Sequence, residues 1–332
     1  MKILAAEAVR AALPMAEAIE AVRWAYLAVS TGQAVLPQRI HLLPPNTDNV
    51  TLVMPAHVGA SPDGRYPASL AVKTVSVYPG NPALGIATVL GGVLVLDPAT
   101  GACIGLADAA SLTAIRTGAG SGVATALLAR EDAEKVAILG AGAQAATQLQ
   151  AMCAVRQIRT AWVFSRTPAR AEAMCARLAG RDGITTDLRI ASSASEAIRE
   201  ADIVCTATGS HVPVFQDCDL KLGVHINAVG AFKPDMQEVP AETVGRARVF
   251  VDHLSSALQE AGDLVQAIRA GAIGEDDIVG EIGSLLAGDL AGRQDLRQIT
   301  LFKSVGIAAQ DAVCATAAIR NAQAMNLGVN VT

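Results

Sequence analysis

In the stretch 14–31 apolar residues recur at three- and four-residue steps (Met15, Ile19, Val22, Tyr26, Val29), with Glu17, Glu20 and Arg23 between them. That period predicts an amphipathic helix, and Gly32 is a suitable stop. The pattern then shortens. Residues 38–42, 50–54 and 69–77 read as strands separated by turns containing Pro and Gly, and 86–96 supplies one or two more. Asp97-Pro-Ala-Thr-Gly101 reads as a hairpin turn between Val95 and Ile104. A long helix is expected over 109–129, broken or thinned at Gly118, Gly120 and Gly122, where missing side chains suit close approach to another backbone or a ligand.

From Lys135 the rhythm becomes strand, helix, strand. Strands are predicted at 136–140, 161–165, 188–191, 202–207, 224–229 and 248–252, with helices at about 143–155, 168–179 and 194–200. This alternation predicts an α/β fold with a Rossmann-type, doubly wound parallel sheet, set beside a β-rich N-terminal domain. Helices are expected over much of 255–291. The tail, strand-like from Ile299 and helical over 308–324, is expected to pack back on the first domain. The division this implies is 1–118 with 306–332, and 119–305.

Composition narrows the classes. A chain of 332 residues has room for two domains, and 52% apolar against 17% charged residues supplies ample core. A net charge of −5, no basic block and only 3% aromatic residues argue against nucleic acid as a partner. The six cysteines are scattered without a C-x-x-C pair and the five histidines share no ligand spacing with them, so neither a disulfide framework nor a metal is expected. Glu7 and Arg10 come too early for a secretory segment. Residues 74–96 carry no charge, but Pro79, Pro82, Gly80, Gly85, Gly91 and Gly92 suit strand–turn–strand better than a membrane helix. A soluble, cytoplasmic protein is the expectation.

Two groups of residues carry chemistry. The first is Gly140-Ala-Gly142-Ala-Gln-Ala145, between an apolar strand and a helix that starts without bulk. Its first glycine permits the turn, Gly142 lets the backbone approach a pyrophosphate, and Ala145 lets helix and strand pack closely. An NAD site usually places an acid at the end of the next strand; that end here reads Ser165-Arg166-Thr167, with Arg170 one turn on. Arginine beside two hydroxyls suits a 2′-phosphate, so NADPH is favoured, with NADH as the alternative. The second group is cationic. Of only six lysines, Lys73 stands inside an apolar strand, on the face of Ala71, Val75 and Val77, and a buried lysine needs an anionic partner or a shifted pKa. Arg116 has no charged neighbour for seven residues before it and thirteen after; Arg39 is a weaker case of the same kind. Together they suggest a substrate with a carboxylate. Asp311, an acid in a nearly uncharged helix, fits either a place beside the nicotinamide or a structural pair. No G-x-S-x-G elbow or Cys/His arrangement supports a hydrolase.

With these residues assembled, the chain resembles the ornithine cyclodeaminase/mu-crystallin family along nearly its whole length. The matching stretches are Val53-Met-Pro-Ala56, Lys73-Thr-Val-Ser-Val-Tyr-Pro-Gly-Asn-Pro82, Ala114-Ile-Arg-Thr-Gly118, Ile138-Leu-Gly-Ala-Gly-Ala-Gln144, His225-Ile-Asn-Ala-Val-Gly-Ala231 and Gly306-Ile-Ala-Ala-Gln-Asp311. The resemblance implies a homodimer whose β-rich domain and C-terminal helix form the interface and a substrate pocket. It implies that Arg39, Lys73 and Arg116 surround the substrate carboxylate with Met54 nearby, Lys73 and Arg116 being catalytic. A dinucleotide would lie along Thr117, Gly140, Gly142, Ala143, Gln144, Ser165, Arg166, Thr167, Thr206, Val229 and Asp311. Cyclodeaminases carry an Asp two residues after the glycine that follows the His-Ile-Asn strand; here, counting from Gly230, that position is Phe232. The segment is more similar to the ketimine reductases of the mu-crystallin branch. The expected activity is therefore NADPH-dependent reduction of a cyclic imino acid, Δ1-pyrroline-2-carboxylate to L-proline and Δ1-piperideine-2-carboxylate as a second substrate. The alternatives are a cyclodeaminase, an open-chain imine reductase of the alanine dehydrogenase or iminosuccinate reductase kind, and a non-catalytic NADPH-binding protein.

Overall fold

The computed structural model describes residues 1–331. The chain begins with β1 (Lys2–Leu4), α1 (Ala6–Ala12) and α2 (Met15–Ser30). Then come β2 (Ala34–Val35), β3 (Ile40–Leu42), β4 (Val50–Val58), β5 (Ser69–Val77), β6 (Val89–Leu96), β7 (Cys103–Asp108) and the long helix α3 (Ala109–Leu128). A second series runs β8 (Lys135–Leu139), α4 (Ala143–Val155), β9 (Thr160–Phe164), α5 (Pro168–Leu178), β10 (Leu188–Ile190), α6 (Ala194–Ile198), β11 (Ile203–Thr206) and β12 (His225–Ala228). It continues through α7 (Ala241–Arg246), β13 (Arg248–Val251), α8 (Leu254–Glu260), α9 (Gly262–Arg269), β14 (Ile278–Glu281), α10 (Ile282–Ala287) and β15 (Thr300–Lys303). Helix α11 (Ala308–Ala324) and β16 (Val329–Asn330) close the chain. Two units result: residues up to Arg116 with those from Ile307 onward, and Thr117–Gly306.

In the first unit the strand order is β16-β1-β7-β6-β5-β4-β2, with β3 also pairing β4. Neighbours from β4 to β7 run antiparallel, as short connections allow. Strand β4 alternates strictly between buried and half-exposed positions, and β5 does so through Val75. One face of the sheet is therefore apolar, and α11 lies over it against β4, β5 and β6 while also packing on α2. Helix α11 can sit so close because its inward residues are mostly alanine, and because a Cβ on Gly105 would fall 2.4 Å from Ile319 Cδ1. Each fully buried Val- or Leu-sized side chain in this layer contributes roughly 1.5–3 kcal/mol.

The second unit is a parallel sheet in the order β10-β9-β8-β11-β12-β15-β13-β14. The residues of β11 and β12 are all buried, and so are those of β8 beyond Lys135; β8 and β11 accordingly read as near-continuous apolar runs, while β12 buries His225 and Asn227 among its apolar residues. Chain order reverses between β8 and β11, the place where sheets of this kind bind ligands at the carboxyl ends of their strands.

Two expectations change. Helix α3 is continuous through its glycines: Gly118 serves packing, since a Cβ there would lie 2.5 Å from the Thr147 carbonyl oxygen. Strand β3 starts only at Ile40, leaving Arg39 ahead of it. The stretch 86–96 forms one strand, β6, beginning at Val89. Helices α8, α9 and α10 occupy much of 255–291 as expected, and Ile278–Glu281 adds an edge strand to the parallel sheet. The uncharged run 74–96 is the end of β5, the connection 78–88 with a 3-10 turn at Asn81–Leu84, and β6. Among the described residues no helix is long and apolar enough to cross a membrane.

Candidate active site and dinucleotide cleft

Lys73 sits at the centre of β5, directly opposite Met54 on β4 and Val93 on β6, and only 1% of it is exposed. Its Nζ lies 2.7 Å from Asp311 Oδ2. The other oxygen of that carboxylate accepts from Arg116 Nε at 3.3 Å. Asp311 belongs to the first turn of α11, where the helix dipole stabilises negative charge. Burial drives the Lys73 pKa down to about 8; Asp311 opposes this, while Arg116 and Arg39 push it further down. The site thus holds both consequences expected of a buried lysine, an anionic partner and a shifted pKa.

Gln310 fixes the second cation. Its Oε1 accepts from Arg116 Nη1 at 3.5 Å and from the Ile307 N–H at 3.0 Å. Its Nε2 donates to the Tyr26 hydroxyl at 2.9 Å and to the Arg116 carbonyl at 3.2 Å. Arg116 Nη2 has no partner among the described residues. Arg39, half-buried, acts electrostatically on Lys73. The first unit therefore gathers Arg39, Met54, Lys73, Arg116 and Asp311, and Asp311 takes the pairing alternative. Gln310 and Tyr26 went unread in the sequence. The one available signal was an amide beside Asp311 in a nearly uncharged helix.

The second unit presents a cleft of about 490 Å³, bounded by residues 140–142, 165–167, Arg170 and 207–210. Gly140 has φ +123°, and a Cβ on it would fall 2.4 Å from the Ala207 carbonyl oxygen, so only glycine makes this turn. Gly142 caps α4 with open space where its side chain would be, and no side chain caps the helix. Ala143 and Gln144 begin α4, leaving first-turn N–H groups for an anion. Ala145 is fully buried against the sheet. Arg166 and Arg170 are exposed on the cleft wall, and neither guanidinium has a partner among the described residues. Ser165 Oγ accepts the Thr167 N–H at 3.2 Å, which shapes the turn before α5. The open glycine and the uncapped helix fit a dinucleotide pyrophosphate, and the exposed guanidinium groups leave positive charge on the same wall.

Six expected dinucleotide residues are not among those lining the cleft: Thr117, Ala143, Gln144, Thr206, Val229 and Asp311. Thr117, on α3, takes the Gln148 amide on its carbonyl at 3.4 Å. Thr206 is buried, with its hydroxyl donating to Glu238 Oε2 at 2.9 Å, and Val229 is buried just past β12. Phe232 is half-buried in the loop that follows. Ser210 and Thr208 on the cleft wall were not singled out by sequence.

Comparison with known proteins now adds to this geometry. A Δ1-pyrroline-2-carboxylate reductase of Bacillus cereus is 37% identical over 316 residues, 95% of this chain and 94% of that one. The structure of Thermococcus litoralis Δ1-pyrroline-2-carboxylate reductase in complex with NADH and L-proline matches with a TM-score of 0.93 at 38% identity, covering 100% of both chains. An archaeal alanine dehydrogenase dimer with bound NAD matches with a TM-score of 0.90 at 32% identity, covering 100% of this chain and 99% of that one. The sequence pattern that defines the ornithine cyclodeaminase/mu-crystallin family matches residues 1–326, and the chain belongs to that family.

Proposed function

We propose that the protein reduces cyclic imino acids with NADPH, turning Δ1-pyrroline-2-carboxylate into L-proline and Δ1-piperideine-2-carboxylate into L-pipecolate. The observation that carries this reading is the buried Lys73, with a pKa near 8, sharing Asp311 with Arg116. A bound nicotinamide cofactor supplies the hydride that the imine carbon receives. Arg116, through the N–H groups left free of Asp311, holds the substrate carboxylate, and Arg39 adds positive charge. Lys73 keeps a proton on Nζ near neutral pH and delivers or shares it with the imine nitrogen. A protonated imine accepts hydride more readily, and a proton donor matched to the working pH is the efficient one. Asp311 holds Nζ in place and keeps the ammonium from losing its proton too early.

Arg166 and Arg170 support NADPH, with NADH as the alternative. The phenyl ring of Phe232 supports reduction over cyclodeamination, which needs a carboxylate at that position to handle amine and water protons. The likeness to an archaeal alanine dehydrogenase keeps open-chain imines as the second reading. A homodimer is supported by the exposed apolar side chains Ile40, Leu42, Leu43, Leu84 and Leu90 of the first unit. Six unpaired thiols, Cys103 and Cys218 exposed among them, suit the reducing cytoplasm.

The test is cofactor oxidation by purified protein. NADPH and NADH are each tried with pyrroline-2-carboxylate, piperideine-2-carboxylate, and pyruvate or oxaloacetate plus ammonia. Turnover of a cyclic imine, faster with NADPH, is expected. No turnover with either ring, together with proline released from ornithine, would overturn the reading.

A further inference from the structure

Glu238 is fully buried in the second unit, yet its carboxylate meets five donors. Oε1 accepts the Thr208 N–H at 2.6 Å and its hydroxyl at 2.8 Å. Oε2 accepts the Thr206 hydroxyl at 2.9 Å, the Gly230 N–H at 2.7 Å and the Ala231 N–H at 3.2 Å. Three of the five are backbone N–H groups, which can only donate, so an ionised carboxylate is the form that satisfies them. Burial and the neighbouring Asp263 push its pKa up, while Lys303 and Thr208 pull it back. The side chain thereby ties together the carboxyl ends of β11 and β12, adjacent strands on the ligand-binding edge of the sheet. Gly230 makes room for it: a Cβ there would lie 2.4 Å from Glu238 Oε1.

The clamp is itself held. Asp263 Oδ1 accepts the N–H groups of Glu238 and Val239 at 2.6 and 2.9 Å, and its Oδ2 pairs with the fully buried Lys303 at 2.8 Å. Gln266 Nε2 donates to the Pro234 and Met236 carbonyls at 3.2 and 2.9 Å. The loop carrying Phe232 is thus pinned along its length.

We propose that Glu238 is a positioning residue that sets the cleft wall at residues 207–210 and thereby governs dinucleotide affinity. The proposal rests on the reading of that cleft as the dinucleotide site. Its path is short. The Ala207 carbonyl is the atom against which the side-chain-free Gly140 is seated, and Glu238 holds the next residue by both N–H and hydroxyl. Releasing Thr208 frees the wall on which the phosphate-binding turn rests. Residues 39, 73 and 116, which would bind the substrate carboxylate, belong to the other unit.

NADPH fluorescence titration tests this, with melting temperatures recorded in parallel. Glu238→Gln keeps the shape but turns an NH2 towards donors, and should weaken NADPH binding tenfold or more. The KM for the imino acid at saturating cofactor should stay within twofold. A purely structural role would lower stability and the active fraction without changing the Kd of the folded protein. Thr206→Val, which removes a hydroxyl from the clamp away from the cleft, should weaken binding at least threefold, and Thr206→Ser should restore it. NADPH affinity within twofold of the parent in Glu238→Gln, or in Thr206→Val where the glutamine variant does not fold, overturns the role of Glu238 alone. A parent protein that binds neither NADPH nor NADH overturns the cleft assignment and this proposal with it.

Discussion

Asp311→Asn replaces a buried carboxylate by an amide of the same shape and removes the negative charge that lies 2.7 Å from Lys73 Nζ. Burial, Arg116 and Arg39 all lower the Lys73 pKa, and the charge of Asp311 opposes them. An opposite charge within hydrogen-bonding distance is worth roughly 1–3 pKa units, so a pKa near 8 should fall to roughly 5–7. At pH 7.5 the lysine then passes from mostly protonated to mostly neutral, and the rate should drop by roughly threefold to a few hundredfold across that range if Lys73 supplies the proton. The drop should be recoverable by acid. The assay is kcat/KM for pyrroline-2-carboxylate from pH 5 to 9 in the parent and in Asp311→Asn, with Lys73→Met as the baseline. The basic limb, near 8 in the parent, should move down by at least one pH unit in the variant. Because the imine is the same in both, its own titration cannot produce the displacement. A limb that stays near 8 in Asp311→Asn refutes the assignment of the proton to Lys73. So does a parent profile that is flat through pH 8.

Other consequences can be measured. Arg166→Ala should reduce kcat/KM with NADPH at least tenfold, about 1.4 kcal/mol, and leave the value with NADH within threefold. The Lys73 pKa is lower folded than unfolded, about 8 against 10.5, so the unfolded chain binds more protons between those values. Stability relative to Lys73→Met should therefore rise by up to about 3 kcal/mol as pH climbs from 8 to 10.5, read by urea denaturation. Gly140→Ala should cost about 2 kcal/mol or more, since a left-handed backbone and a 2.4 Å approach to the Ala207 carbonyl both oppose a side chain. Leu42→Asp with Leu43→Asp should shift sedimentation towards a monomer.

Much of this scaffold was legible because its strongest elements carry their own period. The bounds read for β5, α4 and α11 coincide with the observed Ser69–Val77, Ala143–Val155 and Ala308–Ala324. The elements missed are short: α1, α7 and β14 have seven, six and four residues. A run such as Ile278-Val-Gly-Glu281 has too few apolar positions to show a period, and it is a strand only because β13 offers it an edge. The glycines of α3 misled only about continuity, since the close approach to another backbone expected of them is what Gly118 shows. Helix propensity reads Gly118 as a weak point, whereas its lack of a Cβ is what the Thr147 carbonyl requires. Glu238 was invisible because it lies in a polar segment, Lys233-Pro-Asp-Met-Gln-Glu238, that looks like an ordinary loop. Only the fold brings two strand ends and five donors onto its carboxylate.

The cations show where reading by sequence neighbourhood stops. Lys73, Arg116 and Arg39 looked unopposed because none has an acid nearby in the chain; in the folded unit Lys73 and Arg116 share Asp311, carried in by α11 from the far end. That single acid changes the chemistry more than it changes the charge count. Without it, a lysine buried beside two arginines would be neutral at physiological pH and could donate no proton. A second acid would cancel the positive excess that attracts a carboxylate. One acid against three cations leaves Lys73 still protonated and Arg116 still hungry for an anion. If a substrate carboxylate binds there, as proposed, it would bring the missing negative charge, raise the Lys73 pKa and keep the proton in place for the imine nitrogen. The charge pattern thus favours a small imino acid over a neutral imine: the group that binds the substrate also readies the proton donor.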